Sequence, residues 1–443
     1  MKYYSTNKIV SDISLEEAVI KGLAADKGLY MPNKINKLPK EFFDNIEQMS
    51  FQEMSFHVAQ AFFGEEIPAD DLKAIVYDTL SFDTPVVHVK DNIYSLELFH
   101  GPTLAFKDVG GRFMARLLGY FVKNSTDKRV NVLVATSGDT GSAVANGFLG
   151  VDGVHVYILY PKGKVSEIQE KQFTTLGRNI TALEIDGCFD DCQALVKRAF
   201  LDEELNEKMF LTSANSINLA RFLPQSFYYF YAYAQLKKMG KADNIVVSVP
   251  SGNFGNITAG LFAQEMGLPI KRFIAANNRN DIFFNYLQTG NFEPKASVCT
   301  IANAMDVGNP SNFARILDLY GHNHENICKH VGGATYNDEQ IACGVKETWE
   351  ECKYLLDPHG ACGYLALKEQ LHKDETGVFL ETAHPAKFKE TIDNILGESI
   401  EIPLPLQEFM KGKKETVEMS KEFDDLKNFL IKDQLYKSDT YYY

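Results

Sequence analysis

The run Val130-Asn131-Val132-Leu133-Val134-Ala135-Thr136-Ser137-Gly138-Asp139-Thr140-Gly141 decides the fold. An almost wholly apolar stretch breaks at a loop of hydroxyl residues and glycine, small residues at 142–148 then read as a helix, and a second apolar stretch follows from Val154 to Tyr160. Strand, glycine turn, helix and strand make a βαβ unit. The alternation repeats downstream, with a helix expected at 167–176, a strand at 180–185 and a helix at 190–205. This region therefore predicts an open parallel sheet.

Working outward, a second unit opens at Ile245-Val246-Val247-Ser248-Val249, turns through 250–256, runs a helix over 257–266 and returns through Phe273-Ile274-Ala275-Ala276. Upstream, the strand-like Ile93-Tyr94-Ser95-Leu96-Glu97-Leu98-Phe99 leads into His100-Gly101-Pro102-Thr103-Leu104-Ala105-Phe106-Lys107-Asp108. A helix follows in which Phe113, Leu117 and Phe121 share a buried face at spacings of four. Near the C-terminus, residues 377–383 read as a buried strand that stops at His384-Pro385, where a helix can begin. At the other end, Ser14 and Glu17 have capping-box spacing for a helix reaching Gly22. Pro32, Pro39 and Pro68 suggest an irregular covering layer over residues 30–70. The expected architecture is α/β, with two open, mostly parallel sheets covered by helices and an additional helical N-terminal segment. Three parts follow: 1–90, an N-terminal segment packed on the large lobe; 91–215, a smaller lobe with the lysine loop; and 216–443, a large lobe.

With 443 residues, 45% hydrophobic and 23% charged, the chain has the composition of a globular protein of more than one domain. A formal charge of -14 argues against nucleic acid as a partner, because that binding relies on basic patches. No run approaches the roughly 20 apolar residues of a membrane span, and the N-terminus has no apolar signal core, so a cytoplasmic protein without a membrane partner is expected. The seven cysteines are scattered, unlike a disulfide framework. Cys188 and Cys192 fall one helical turn apart without further ligands nearby, so no metal site is expected.

In open α/β sheets ligands gather at the carboxyl ends of strands, where three loops are candidates. Gly252, Asn253, Phe254, Gly255 and Asn256 let bare backbone and a helix N-terminus meet an anion. Taken alone, this loop reads equally as a phosphate cradle or as a tight turn. Thr136, Ser137 and Thr140 offer hydroxyls suited to a carboxylate, although Asp139 sets a negative charge beside them. Asn215, Ser216 and Arg221 offer amide, hydroxyl and guanidinium donors for a second anion, or else cap the next helix. Lys107 follows Leu104, Ala105 and Phe106, which are able to desolvate it. The competing reading is a surface lysine paired with Asp108. A lysine of ordinary pKa, about 10.4, is almost wholly protonated at neutral pH, so a nucleophilic role needs that desolvation.

HGPTLAFKD, ATSGDTG, SANSINLAR, VPSGNFGN, NAMDVGNPSN and TAHPAKF occur here in an order that resembles the threonine synthase family, pyridoxal-phosphate enzymes of fold type II related to tryptophan synthase β. The resemblance implies that Lys107 holds pyridoxal 5'-phosphate covalently, with residues 252–256 on its phosphate and Thr382 at its ring nitrogen. It further implies that Thr136, Ser137 and Thr140 take the substrate carboxylate and that Asn215, Ser216 and Arg221 take the substrate phosphate. Asp139 stands where wider relatives carry asparagine near the cofactor's phenolic oxygen. The implied reaction converts O-phospho-L-homoserine and water into L-threonine and phosphate by β,γ-elimination and addition of water at the β carbon, the last step of threonine biosynthesis. Dehydratases and cysteine synthases of the same fold group are the competing enzymes; their substrates lack the γ phosphate that Arg221 would meet. A noncatalytic nucleotide-binding protein is the competing class.

Overall fold

Apolar, β-branched runs that end at glycine turns become buried strands. In the computed structural model, which describes residues 1–125 and 129–438, these are β1 (Tyr3–Ser5), β2 (Tyr30–Pro32), β3 (Val86–Lys90), β4 (Ile93–Glu97), β5 (Val130–Ala135), β6 (Val154–Pro161) and β7 (Ile180–Asp186). They continue with β8 (Phe210–Ser213), β9 (Ile245–Pro250), β10 (Ile270–Asn277), β11 (Val331–Thr335), β12 (Thr376–Glu381) and β13 (Val417–Ser420). A six-stranded sheet has the order β11-β10-β9-β12-β4-β3, parallel except for its β3–β4 edge, and a five-stranded sheet has the order β13-β7-β6-β5-β8, parallel throughout. Every residue of β6, β9 and β12 is buried, as parallel sheets with helices on both faces require. The α/β architecture with two mostly parallel sheets is the one the patterning predicts.

The sheets do not follow the expected boundaries. β4 pairs with β12, so residues 86–97 belong to the six-stranded sheet, while β13 pairs with β7 and takes residues 417–420 into the five-stranded sheet. Strand edges are satisfied wherever a partner lies, and the chain crosses between sheets to reach them. The short strands β8 and β13, too brief and mixed for a periodic signal, were not anticipated.

Two helical expectations also change. The predicted helix over 190–205 is two helices, Phe189–Leu201 and Glu203–Lys208, because Asp202 is extended and its carboxylate accepts from Leu205 N at 2.9 Å to start the second. Residues 30–70 hold a regular helix at Phe51–Phe63, and another runs over Ala69–Thr79, so Pro39 and Pro68 sit at helix starts rather than marking irregular chain. The capping box is as expected: Ser14 and Glu17 bond reciprocally around the helix Leu15–Lys21, and Gly22 ends it at φ 67°. Among the described residues no helix is long and apolar enough to cross a membrane.

One contact bears directly on the site. The helix Lys107–Ser125 crosses the helix Asp139–Phe148 through Gly111 and Gly147. A Cβ on Gly111 would lie 2.9 Å from the Ala143 carbonyl oxygen, and one on Gly147 would lie 2.9 Å from the Gly111 carbonyl carbon. Side chains are excluded there, so the two helix starts are held close. Gly147→Val should force the helices apart and lower stability by about 1–3 kcal/mol, the usual cost of overpacking, read as a lower urea midpoint for the full chain. An unchanged midpoint would contradict the close crossing.

Candidate active site

The lysine loop is stitched to the end of β12. Phe106 N donates to the Thr382 carbonyl at 2.8 Å, His384 N donates to the Leu104 carbonyl at 3.0 Å, and Ala105 bridges Ala383. Lys107, first residue of its helix, therefore stands beside Thr382 at the carboxyl edge of the six-stranded sheet. Asp108 does not pair with it: its carboxylate accepts from Thr103 N at 2.9 Å and from Thr103 Oγ1 at 2.6 Å, which removes the surface ion-pair reading. Burial lowers the Lys107 pKa to about 8. The Asp139 carboxylate opposes that shift, while Arg221 and Lys387 add to it.

The loop after β5 is organised from inside. The Thr136 hydroxyl accepts from the amides of Gly138 and Gly141 at 2.9 and 2.8 Å, so this side chain holds the turn while Ser137 and Thr140 stay partly exposed. Asp139 opens the helix and is buried, yet it is not a naked charge. It accepts from Gln169 Nε2 at 2.8 Å and pairs at 2.7 Å with Lys387, which is fully buried and also donates to the Thr103 carbonyl at 2.7 Å. Despite burial, Lys387 and Lys107 together bring the Asp139 pKa down to about 2.

The loop after β9 runs through Phe254 at φ 63°, a left-handed conformation strained for a phenylalanine, immediately before the helix Gly255–Glu265. Gly252 admits no side chain, because its Cβ would lie 2.8 Å from the Ala304 carbonyl oxygen. That turn is fixed by His359: Ala304 N donates to His359 Nε2 at 3.1 Å, and His359 Nδ1 meets Asp357 Oδ1 at 2.5 Å. His359, in the first turn of the helix Pro358–Gln370, is thus a positioning group. The Asn256 side chain is likewise spent inside its loop, donating to the Pro250 carbonyl at 2.8 Å.

The third loop completes the assembly. A Cβ on Gly255 would come within 3.2 Å of Ser216 Cβ, and Asn215 Nδ2 donates to the Ala135 carbonyl at 3.1 Å, so all three glycine- and serine-rich loops touch. Arg221 is buried; its Nη1 donates to the Ala214 carbonyl at 2.5 Å, while its Nε has no protein partner. Asn215, Ser216, Ile217 and Asn253 line a cleft of about 910 Å³, to which Lys107, Ser137, Thr140, Arg221 and Thr382 do not contribute lining. Lys107, Asp139 and Arg221 lie within electrostatic reach of one another, while the Thr136 and Asn256 side chains are spent on the backbone of their own loops. Gln169, Lys387, Asn312 and Arg315 join them without having been anticipated. Lys387 lies inside TAHPAKF, but nothing in that motif reveals that its amine reaches Asp139.

The array of charges has a testable sign. Lys107 should react with an amine-directed acylating reagent with a midpoint near pH 8. Asp139→Asn removes the one neighbour that favours the ammonium form and leaves Arg221 and Lys387 acting alone, so the midpoint should move to lower pH. Peptide mass spectrometry of Lys107 labelling against pH reads this directly, and a midpoint displaced upward would refute the described array.

Comparison with known proteins identifies the family. Residues 79–382 match the family model for pyridoxal-phosphate dependent enzymes, residues 2–80 that for the threonine synthase N terminus, and residues 360–430 that for the threonine synthase C-terminal region. The chain is 46% identical to the threonine synthase of Haemophilus influenzae over 98% of its length and 100% of that protein. Its fold superposes on Escherichia coli threonine synthase with a TM-score of 0.91 at 44% identity, covering 98% of this chain and 100% of the other. For the pyridoxal-phosphate-bound threonine synthase of Brucella melitensis the TM-score is 0.90 at 34% identity, covering 97% and 99%. The chain belongs to the threonine synthase family, pyridoxal-phosphate-dependent lyases of fold type II.

Proposed function

We propose that the cleft converts O-phospho-L-homoserine and water into L-threonine and phosphate, in the cytoplasm, with pyridoxal phosphate held on Lys107. The observation that supports this most strongly is an amine of lowered pKa set among loops that offer anion donors. Those residues fit the cofactor. Lys107 is available for covalent attachment, and Gly252 leaves backbone bare at a helix start. When bound, pyridoxal phosphate would supply an electron sink that makes the hydrogen on the substrate α carbon acidic and, after its removal, one on the β carbon.

In this reading the amides of residues 252–256 hold the cofactor phosphate, and the Thr382 hydroxyl meets the ring nitrogen. Being neutral, that hydroxyl does not hold the nitrogen protonated as a carboxylate would. Ser137 and Thr140, with the amides that Thr136 orients, take the substrate carboxylate. Asn215, Ser216 and Arg221 take the γ phosphate. Lys107 Nζ removes protons from the α and β carbons, returns one to the γ carbon after phosphate departs, accepts one from the water that adds at the β carbon and returns one to the α carbon, the remaining proton leaving with the phosphate. Asp139, kept anionic by Lys387, would stand near the cofactor's phenolic oxygen and could only accept a hydrogen bond there.

Incubating the purified protein with O-phospho-L-homoserine should give threonine and free phosphate in equal amounts, and Lys107→Ala should abolish both. Phosphate without threonine, or neither product, would end the proposal. Arg221→Ala should lower kcat/KM for this substrate roughly tenfold to hundredfold, as expected for loss of a charged hydrogen bond, while the yellow borohydride-sensitive chromophore persists. Equal loss of chromophore and activity would contradict the assignment of Arg221 to the substrate phosphate.

A further inference from the structure

Arg315 lies outside every motif assigned above and heads the fully buried side chains by volume among the described residues. All five of its N–H directions end on neutral oxygens. Nε and one Nη2 hydrogen point to the Tyr30 carbonyl at 3.2 and 3.1 Å, and the second Nη2 hydrogen points to the Ile217 carbonyl at 2.6 Å. The Nη1 hydrogens reach the Ser216 carbonyl at 3.1 Å and Asn312 Oδ1 at 2.6 Å. Its guanidinium carbon sits 4.1 Å from the centre of the Phe222 ring. Among the described residues no carboxylate pairs with it, and burial alone brings its pKa to about 9, so it remains a cation at neutral pH.

Two consequences follow for the loop it grips. A trans peptide is planar, with its C=O and N–H pointing in opposite directions. By drawing in the Ser216 carbonyl, Arg315 turns the Ile217 N–H away from itself; both residues line the cleft, and among the described residues this N–H has no hydrogen-bond partner. Asn312, oriented by Arg315, donates to Ser216 Oγ at 3.1 Å and to the Asn253 carbonyl at 2.9 Å, which locks this loop to the one after β9. Directly behind the loop sits a full positive charge with no protein counter-ion. Such a charge is costly unless an anion answers it across the loop.

We propose that Arg315 is a positioning residue for the substrate phosphate. It aims the Ile217 N–H and the Ser216 hydroxyl into the cleft and supplies from behind the charge that the phosphate neutralises. This inference rests on the assignment of residues 215–221 to the γ phosphate. It differs from the role of Arg221: Arg315 has no donor left to give and acts only through the loop it holds and the field it casts.

The test uses full-length protein loaded with pyridoxal phosphate, with inorganic phosphate as the probe. Arg315→Met should raise both KM for O-phospho-L-homoserine and the inhibition constant of phosphate about tenfold or more, with a smaller loss of kcat and an unchanged cofactor dissociation constant. Arg315→Lys, which keeps the charge but not the planar fork, should fall between. A folded Met variant whose phosphate inhibition is unchanged, or whose cofactor affinity falls as far as its phosphate affinity, overturns the proposal. Should Arg315→Met fail to fold, Asn312→Asp places a carboxylate against the intact arginine. Weaker phosphate inhibition in that variant supports the inference, and unchanged inhibition overturns it. If the parent protein forms no threonine at all, it is the assigned reaction that fails and not the role of Arg315.

Discussion

Desolvation of the Lys107 amine is the constraint on which the site depends. At its ordinary pKa of about 10.4, only about one amine in several thousand is neutral at pH 7, whereas a pKa near 8 leaves about one in ten. Apolar packing provides that shift only if no carboxylate stands free to reverse it. Both nearby acids are accordingly occupied: Asp108 is turned back onto Thr103, and Asp139 is bound by Lys387 and Gln169. The residue next to the lysine in sequence is thereby turned away from it, while Lys387, 280 positions away, adds to a lowering that burial dominates.

The same logic extends to the charge of the whole protein. The chain carries -14 overall, yet Lys107, Arg221, Arg315 and Lys387 gather around the ends of the strands. An acidic surface offers no long-range attraction to an anionic substrate, so affinity must come from local donors inside a low-dielectric cleft, where each is worth more than it would be in water. Arg221 is held near pKa 10 by burial and keeps one N–H without a protein partner, and Arg315 is wrapped in carbonyls. Buried cations without counter-ions are destabilising in the empty protein. Bound anions relieve that cost, so ligand affinity and local stability are linked.

Much of the fold was legible because parallel strands buried on both faces are continuous apolar runs: β5, β6, β9 and β12 all announce themselves in this way. β8 and β13, at four residues each, give no such signal, and sheet membership for β4 and β13 depends on pairings that local pattern does not encode. The site was legible where chemistry needs a local run of residues, as in the glycine turns and the lysine loop. It was illegible where one long side chain reaches in from elsewhere. Lys387, Arg315 and Gln169 are ordinary helix or turn residues by sequence, and their importance appears only when the chain is folded. Even within the motifs, Thr136 and Asn256 turn inward, because a loop that presents its backbone must first satisfy its own amides.

Each part of the cleft therefore comes from a different layer of the fold. The Gly111–Gly147 crossing brings together the helices that begin at Lys107 and Asp139, and the Ala105–Ala383 bridge fastens the lysine to the six-stranded sheet. Arg315 ties the N-terminal segment, through Tyr30, to the loop at Ser216 and Ile217. The N-terminal segment also lines the cleft through Thr6, Asn7 and Lys27. Its backbone carbonyl satisfies the arginine, the arginine orients the loop, and the loop presents its amide and hydroxyl to the cleft. Loss of Tyr30 from its position would leave two buried guanidinium hydrogen bonds unmet on the arginine that holds the loop at Ser216 and Ile217.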